Sequence, residues 1–212
     1  MTEATTRGTA PEARPFLLGL TGSIGMGKST TGAMFAAEGV PVWDADAAVH
    51  RLYAPGGAAL SAVAALCPAA VGPAGVDRTA LKRWLAANPD GLARLEAAVH
   101  PLVATDRAAF IARAAATGAD LVVLDIPLLF ETGAEAGLDA TLVVTAPAEV
   151  QRARVFARPG MTEDQFARLL ARQMPDAGKR ARADHIVETL TPEGARAAVR
   201  DLIHTIRSRR HA

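Results

Sequence analysis

One cysteine, one tyrosine and one asparagine are all that 212 residues contain of those types, and aromatic residues make up only 4% of the chain. With Cys67 alone, no intrachain disulfide can form. The fold must rest on apolar burial, and a reducing cytoplasm is the expected setting. Charge of one sign is also lacking: 23 Lys and Arg against 22 Asp and Glu leave a formal net charge of +1. This balance argues against the broad cationic surface of a nucleic-acid-binding or membrane-surface protein, although it leaves room for a local cationic patch. No apolar run is long enough to span a bilayer, and the opening MTEATTRGTAPEARP lacks the apolar centre of a signal peptide. Residues 1–15 are therefore expected to form a flexible, soluble tail. The single asparagine, in Asn88-Pro89-Asp90, also excludes a regulatory GTPase, which needs the base-reading NKxD.

What the chain does have is hydrophobic residues at half of its positions, enough for a sizeable core in one domain with insertions. From Phe16 to Ala33 it reads FLLGLTGSIGMGKSTTGA: an apolar run, the glycine-rich stretch from Gly22 to Ser29, then residues that can open a helix. This is a phosphate-binding loop in its strand–loop–helix context. Glycines let successive N–H groups turn towards one anion, and the positive end of the following helix adds its field. ATP or GTP fits such a cradle. Lys28 would reach the β- and γ-phosphates, and the Ser29 hydroxyl would complete the coordination of a bridging Mg²⁺.

The rest of the chain alternates strand-like and helix-like segments, the order that builds a parallel sheet covered on both faces. Strands are expected at Phe16–Leu20, Val40–Trp43, Leu121–Asp125, Ala140–Thr145 and His185–Val187, the last a short edge. The first helix should run from Lys28 to about Glu38 and stop at Gly39. About seventy residues, Ala47–Asp120, separate the second and third strands, far more than one crossover needs, so a helical insert is expected there. An Arg-rich stretch, Pro147–Asp184, separates the fourth and fifth. The expected architecture is a three-layer α/β P-loop kinase fold. It divides into a core (16–50, 118–150, 183–212), an acceptor-side helical insert (51–117) and a basic lid (151–182).

Beyond the loop, chemistry concentrates at a few positions. Val42-Trp43-Asp44-Ala45-Asp46 puts two carboxylates at the carboxyl end of a strand, where they face the γ-phosphate in a sheet of this kind. Each has two readings: a proton acceptor or metal holder, or a helix cap (Asp46) and a turn residue (Asp44). Asp125 ends the apolar run LVVLD and either helps hold Mg²⁺ through water or orders the following loop. In the basic stretch Arg154 and Arg158 are four apart on one expected helix, and Thr162-Glu163-Asp164-Gln165 spells a capping box before Arg168 and Arg172. Arginine forks suit phosphate oxygens, and Arg158, beside Pro159-Gly160, is the first candidate for a nucleotide clamp. His100-Pro101 should end a helix beginning near Pro89, leaving His100 as a helix-end hydrogen-bonding group or an acceptor contact. Trp84 reads as core or groove lining.

Taken together, LTGSIGMGKST, WDAD, LEAAVHP, DIPLLFE, ARPGMTEDQFARLLARQ and KRARADHIVE resemble, in order, the motifs of the dephospho-coenzyme A kinases. The likeness covers nearly everything from Phe16 to Val187. It implies transfer of the ATP γ-phosphoryl group to the ribose 3′-hydroxyl of dephospho-CoA, the last step of coenzyme A biosynthesis, by a monomer or weak homo-oligomer. It also implies that Asp46 is the base, that Gly25, Met26, Gly27, Lys28, Ser29 and Thr30 bind ATP, and that Arg158 belongs to the lid clamp. Ser23, Met26 and His50 depart from the commonest family pattern, and His50 stands where an arginine is usual, next to Arg51. A kinase for another small acceptor and a non-catalytic ATP-binding module are the rival readings. The carboxylates beside the loop count against the second.

Overall fold

Five apolar runs form one parallel sheet: β1 (Phe16–Thr21), β2 (Val42–Asp44), β5 (Leu121–Asp125), β6 (Ala140–Thr145) and β7 (His185–Glu188). A separate hairpin supplies β3 (Val71–Gly72) and β4 (Gly75–Val76). The structure is a computed structural model and describes residues 14–210. The order β2-β5-β1-β6-β7 puts β1 in the centre, so the glycine-rich loop leaves the middle of the carboxyl edge. Every residue of β5 and β6 is buried, as strands covered on both faces require. Leu121 and Val123 pack with Phe35 of α1 (Lys28–Ala37) and Val199 of α9 (Pro192–Arg210). Val122 and Leu124 turn the other way, towards Trp43 and the helices α2 (Ala45–Tyr53) and α5 (Gly91–Ala116). β2 begins two residues later than expected because Pro41 has no N–H to give the ladder, although its carbonyl still accepts from Val123 at 2.9 Å.

The expected insert, 51–117, holds the end of α2, α3 (Leu60–Leu66), the hairpin, α4 (Arg78–Ala87) and α5, and its first four elements and the first half of α5 surround a small core of their own that includes Val63, Cys67, Leu81, Leu95 and Val99. Trp84 packs half-buried against this core, and Cys67 is buried within it. One expectation fails here. His100-Pro101 does not end the helix, since α5 continues to Ala116 with Pro101 inside it. An interior proline costs about 3 kcal/mol. Burial on either side offsets that cost, with Leu95 and Val99 in the insert core before it and Ala114 against the sheet after it. The hairpin was not foreseen, because strands of two residues carry no readable alternation.

The basic stretch folds as α6 (Ala148–Phe156), α7 (Glu163–Ala171) and α8 (Asp176–Arg182). The capping box forms as expected, with Thr162 and Gln165 bonding each other's backbone N–H. Of the expected tail, residues 1–13 lie outside the described residues. Arg14, however, forks onto Asp139 at 2.6 and 2.8 Å, so the chain is tied down just before β1. Among the described residues no helix is long and apolar enough to cross a membrane.

Candidate active site

The loop after β1 turns on two glycines with left-handed backbone, Gly25 (φ 79°) and Gly27 (φ 89°). A Cβ on Gly25 would also lie 2.7 Å from Val155 Cγ2, so α6 packs directly on the loop. Gly27 caps α1, its carbonyl accepting the first helical bond from Thr31 N–H at 3.0 Å. Ile24 is held at both ends: its carbonyl accepts from Gln151 Nε2 at 2.8 Å, and its N–H donates to Gln173 Oε1 at 3.1 Å. Thr189, just after β7, donates to the Met26 carbonyl at 2.8 Å and accepts from Arg154 Nη1 at 2.9 Å. Met26 itself is buried, with its sulfur 3.1 Å from the Ala146 N–H, so its side chain serves the core. Lys28, Ser29 and Thr30 begin α1, the last two exposed.

At the floor of the site Lys28 Nζ forms an ion pair with Asp125, which stands in register with both Leu20 and Asp44. Asp125 is 2% exposed. Burial pushes its carboxyl up, the Lys28 ammonium pulls it down, and the nearby charges of Asp44 and Asp46 push it up again, with a raised value as the result. The two carboxylates after β2 have divided their tasks. Asp44 is the helix cap, accepting from the Ala47 N–H at 2.9 Å, so the capping reading of Asp46 is displaced by two residues. Asp46 sits in the first turn of α2, exposed, and its side chain makes no hydrogen bond among the described residues.

Arg154 and Arg158 meet Gly25, Gly27, Thr30 and Thr189 around one cavity of about 270 Å³. They do so although α6 stops at Phe156, before Arg158, because Pro159 holds the residue ahead of it out of helical backbone. Arg168 and Arg172 line a different cavity, with Gly160 and Gln165. Several other basic residues of this stretch are structural: Arg152 pairs with Glu163, Arg182 with Glu135, and Lys179 is fully buried against Glu131. On the insert side Asp46 lies where two grooves meet, one between α2 and α4 and one between α2 and α5. His100 lines the second, so the acceptor-contact reading gains over the helix-end reading. His50 lines the first, whereas Arg51 turns to Asp106 at 2.8 Å, an oxygen shared with the indole N–H of Trp43 at 2.7 Å. The roles of Gln151 and Thr189 escaped the sequence reading.

Comparisons with known proteins agree on one family. The profile of the dephospho-CoA kinase family matches residues 16–191. A dephospho-CoA kinase of Cereibacter sphaeroides is 68% identical over 92% of this chain and 97% of its own length. A crystal structure from Thermus thermophilus superposes with a TM-score of 0.78 at 36% identity, over 91% of this chain and 98% of that one. The dephospho-CoA kinase of Campylobacter jejuni, at 20% identity, shares the fold with a TM-score of 0.61 over 92% of this chain and 98% of its own. Sequence motifs, sheet order and these matches lead to one assignment: the chain belongs to the dephospho-CoA kinase family.

Proposed function

We propose that this kinase passes the γ-phosphoryl group of ATP to the ribose 3′-hydroxyl of dephospho-CoA with Asp46 as the general base. The observation that carries this reading is the contrast between the two carboxylates after β2. Asp44 is engaged as a cap, while Asp46 is exposed at the junction of the two insert-side grooves and close enough to Asp125 to act on its ionisation. Phosphoryl transfer asks mainly for alignment and for neutralisation of charge on the transferred group. Lys28 and the N–H groups of Gly25 to Thr30 would bind the ATP phosphates, with the adenosine lying towards Thr191 and Ala195. Arg158 would close over them from the lid, and Asp46 would orient the 3′-hydroxyl and take its proton.

ATP chemistry also calls for a metal ion, and the oxygen donors here suit Mg²⁺. Asp125 and the Ser29 hydroxyl would hold it, and the excess of carboxylate around Lys28 supports that fit. Among the described residues no group of three His, Cys, Asp or Glu could hold a metal alone, so phosphate oxygens and water would fill the other positions. The ion's contribution when bound is to neutralise charge on the phosphates. The working division is a core (16–50, 118–150, 183–212) carrying the loop, an insert (51–117) carrying the acceptor grooves and a lid (151–182) carrying the clamp, all in the cytoplasm. The insert's separate hydrophobic cluster supports this division.

The test is turnover of Asp46→Asn and Asp44→Asn at saturating ATP, Mg²⁺ and dephospho-CoA. Asp46→Asn keeps the shape but cannot take a proton, and a loss of about 10²–10⁴-fold is expected with ATP binding retained. Asp44→Asn retains a capping oxygen and should cost far less. Normal turnover by Asp46→Asn would move the base elsewhere.

A further inference from the structure

Two grooves meet at Asp46, and they differ in charge. The groove between α2 and α4, about 450 Å³, carries His50, Arg78 and Lys82. The groove between α2 and α5, about 320 Å³, is walled by Val49, Leu95, Val99, Val103 and Ile126, and its only charged side chains are the acids Asp46 and Glu96. The division follows from helical spacing. Asp46, His50 and Tyr53 follow one another at four and three residues along α2, and Arg78 and Lys82 are four apart on α4, so each set shares a face.

Arg78 and Lys82 are exposed along the first groove and offer their charge to an anion there. Among the described residues neither Arg78 nor Lys82 takes part in an ion pair. The nearest acid in sequence, Asp77, is occupied at the N-terminus of α4, accepting from Thr79 N–H at 2.8 Å and Ala80 N–H at 3.1 Å. Arg78 is steadied by Tyr53, its guanidinium carbon 5.9 Å from the ring centroid. Cations held ready beside the acceptor's reacting position call for an anion on the acceptor.

We infer that the groove between α2 and α4 binds the diphosphate of dephospho-CoA through Arg78 and Lys82, with His50 as a further donor, while the acidic, apolar groove between α2 and α5 takes an uncharged arm of the same molecule. The assignment rests on the reading that Asp46 receives the 3′-hydroxyl. In dephospho-CoA that hydroxyl and the 5′-diphosphate sit on one ribose, so the diphosphate lies close to Asp46, and the grooves that include Asp46 are the first candidates. Of these two, one repels a diphosphate and one attracts it. Arg107 lines a cavity that shares Ala45, His100, Val103, Ile126 and Thr132 with the second groove but does not include Asp46, and it is the rival cation that the kinetics must separate.

Kinetics of Arg78→Gln, Lys82→Gln and Arg107→Gln, with dephospho-CoA and ATP varied in turn at low and high salt, test this. Glutamine keeps a polar, uncharged side chain on a shorter stem, and the salt dependence isolates the loss of charge. Each of the first two should raise KM for dephospho-CoA about tenfold with kcat and KM for ATP nearly unchanged, as loss of a charge-assisted contact made equally in ground and transition states requires. Their KM should also rise less steeply with salt than that of the unmodified enzyme. Arg107→Gln should match the unmodified enzyme. An unchanged KM in Arg78→Gln and Lys82→Gln overturns the inference, as does a loss shared equally by kcat and KM for ATP, or a larger KM effect from Arg107→Gln. A failure of Asp46 as base would appear instead as normal turnover by Asp46→Asn, with these KM shifts still measurable.

Discussion

Removing the ammonium of Lys179 should destabilise the protein by more than any single surface substitution can. Lys179 lies in the middle of α8 at 0% exposure, and its Nζ is 2.7 Å from Glu131 Oε1. The Met174 N–H donates to the same oxygen at 2.7 Å, whereas Oε2 is buried with no partner among the described residues. Burial works to raise the Glu131 carboxyl, but the Lys179 ammonium and the Met174 N–H outweigh it, and the carboxyl falls below its usual range. Lys179→Met keeps the stem and strands that carboxylate. Breaking a buried pair in this way costs about 3–5 kcal/mol. The lower end applies here because the Glu131 side chain retains 16% exposure, through which water can enter. A cost of about 3 kcal/mol corresponds to a fall in Tm of roughly 6–12 °C for a chain of this size. Urea unfolding of Lys179→Met, Glu131→Gln and the double variant supplies the comparison, and the double variant should recover most of the loss because no unpaired charge remains. The deficit of Lys179→Met should shrink as pH falls, since protonation relieves the stranded carboxylate. A Lys179→Met protein within about 1 kcal/mol of the unmodified one, or single costs that simply add, would refute the reasoning.

Lys28→Met should abolish turnover, and its loss of Tm should be greater at pH 8 than at pH 5, because its buried partner Asp125 already favours protonation and can shed its charge in acid. Arg158→Ala should lower kcat and raise KM for ATP together, as expected of a group that closes over the nucleotide, and unchanged kinetics would return it to the solvated surface. Asp184 accepts from both the N–H and the hydroxyl of Thr141 at 2.8 Å, and these bonds hold its carboxyl below the usual 3.8. Its contribution to stability is therefore present above that value and disappears as pH falls through the lowered one. Asp184→Asn should accordingly lose less stability than the unmodified protein between pH 6 and pH 3, as read by Tm.

What could be read from residues alone was whatever is contiguous or strictly periodic. The glycines and lysine of the phosphate loop lie within eight positions, and β5 and β6 are apolar throughout because helices cover both their faces. What supports the loop was hidden because it arrives from far along the chain: Gln151, Gln173 and Thr189 reach it across 127, 149 and 163 residues. Nothing local distinguishes a Gln that holds a peptide from one that faces water. Lys179 was hidden for a related reason. In a run of basic residues it reads as one more surface cation, and only Glu131, 48 residues away, makes its complete burial possible. The Pro101 error is of another kind, since the local rule against interior proline was correct and tertiary packing on both sides of it prevailed.

The bond from Ile24 N–H to Gln173 joins the phosphate loop to the segment just beyond α7. The loop and the segment beyond α7 consequently do not respond to a ligand as separate parts. Any anion that draws the Ile24 amide towards itself works against Gln173, and any displacement of the α7 end frees that amide. By thermodynamic linkage the two effects are equal in size, so any preference of an anion at the loop for one placement of Gln173 is equally a preference of that placement for the anion.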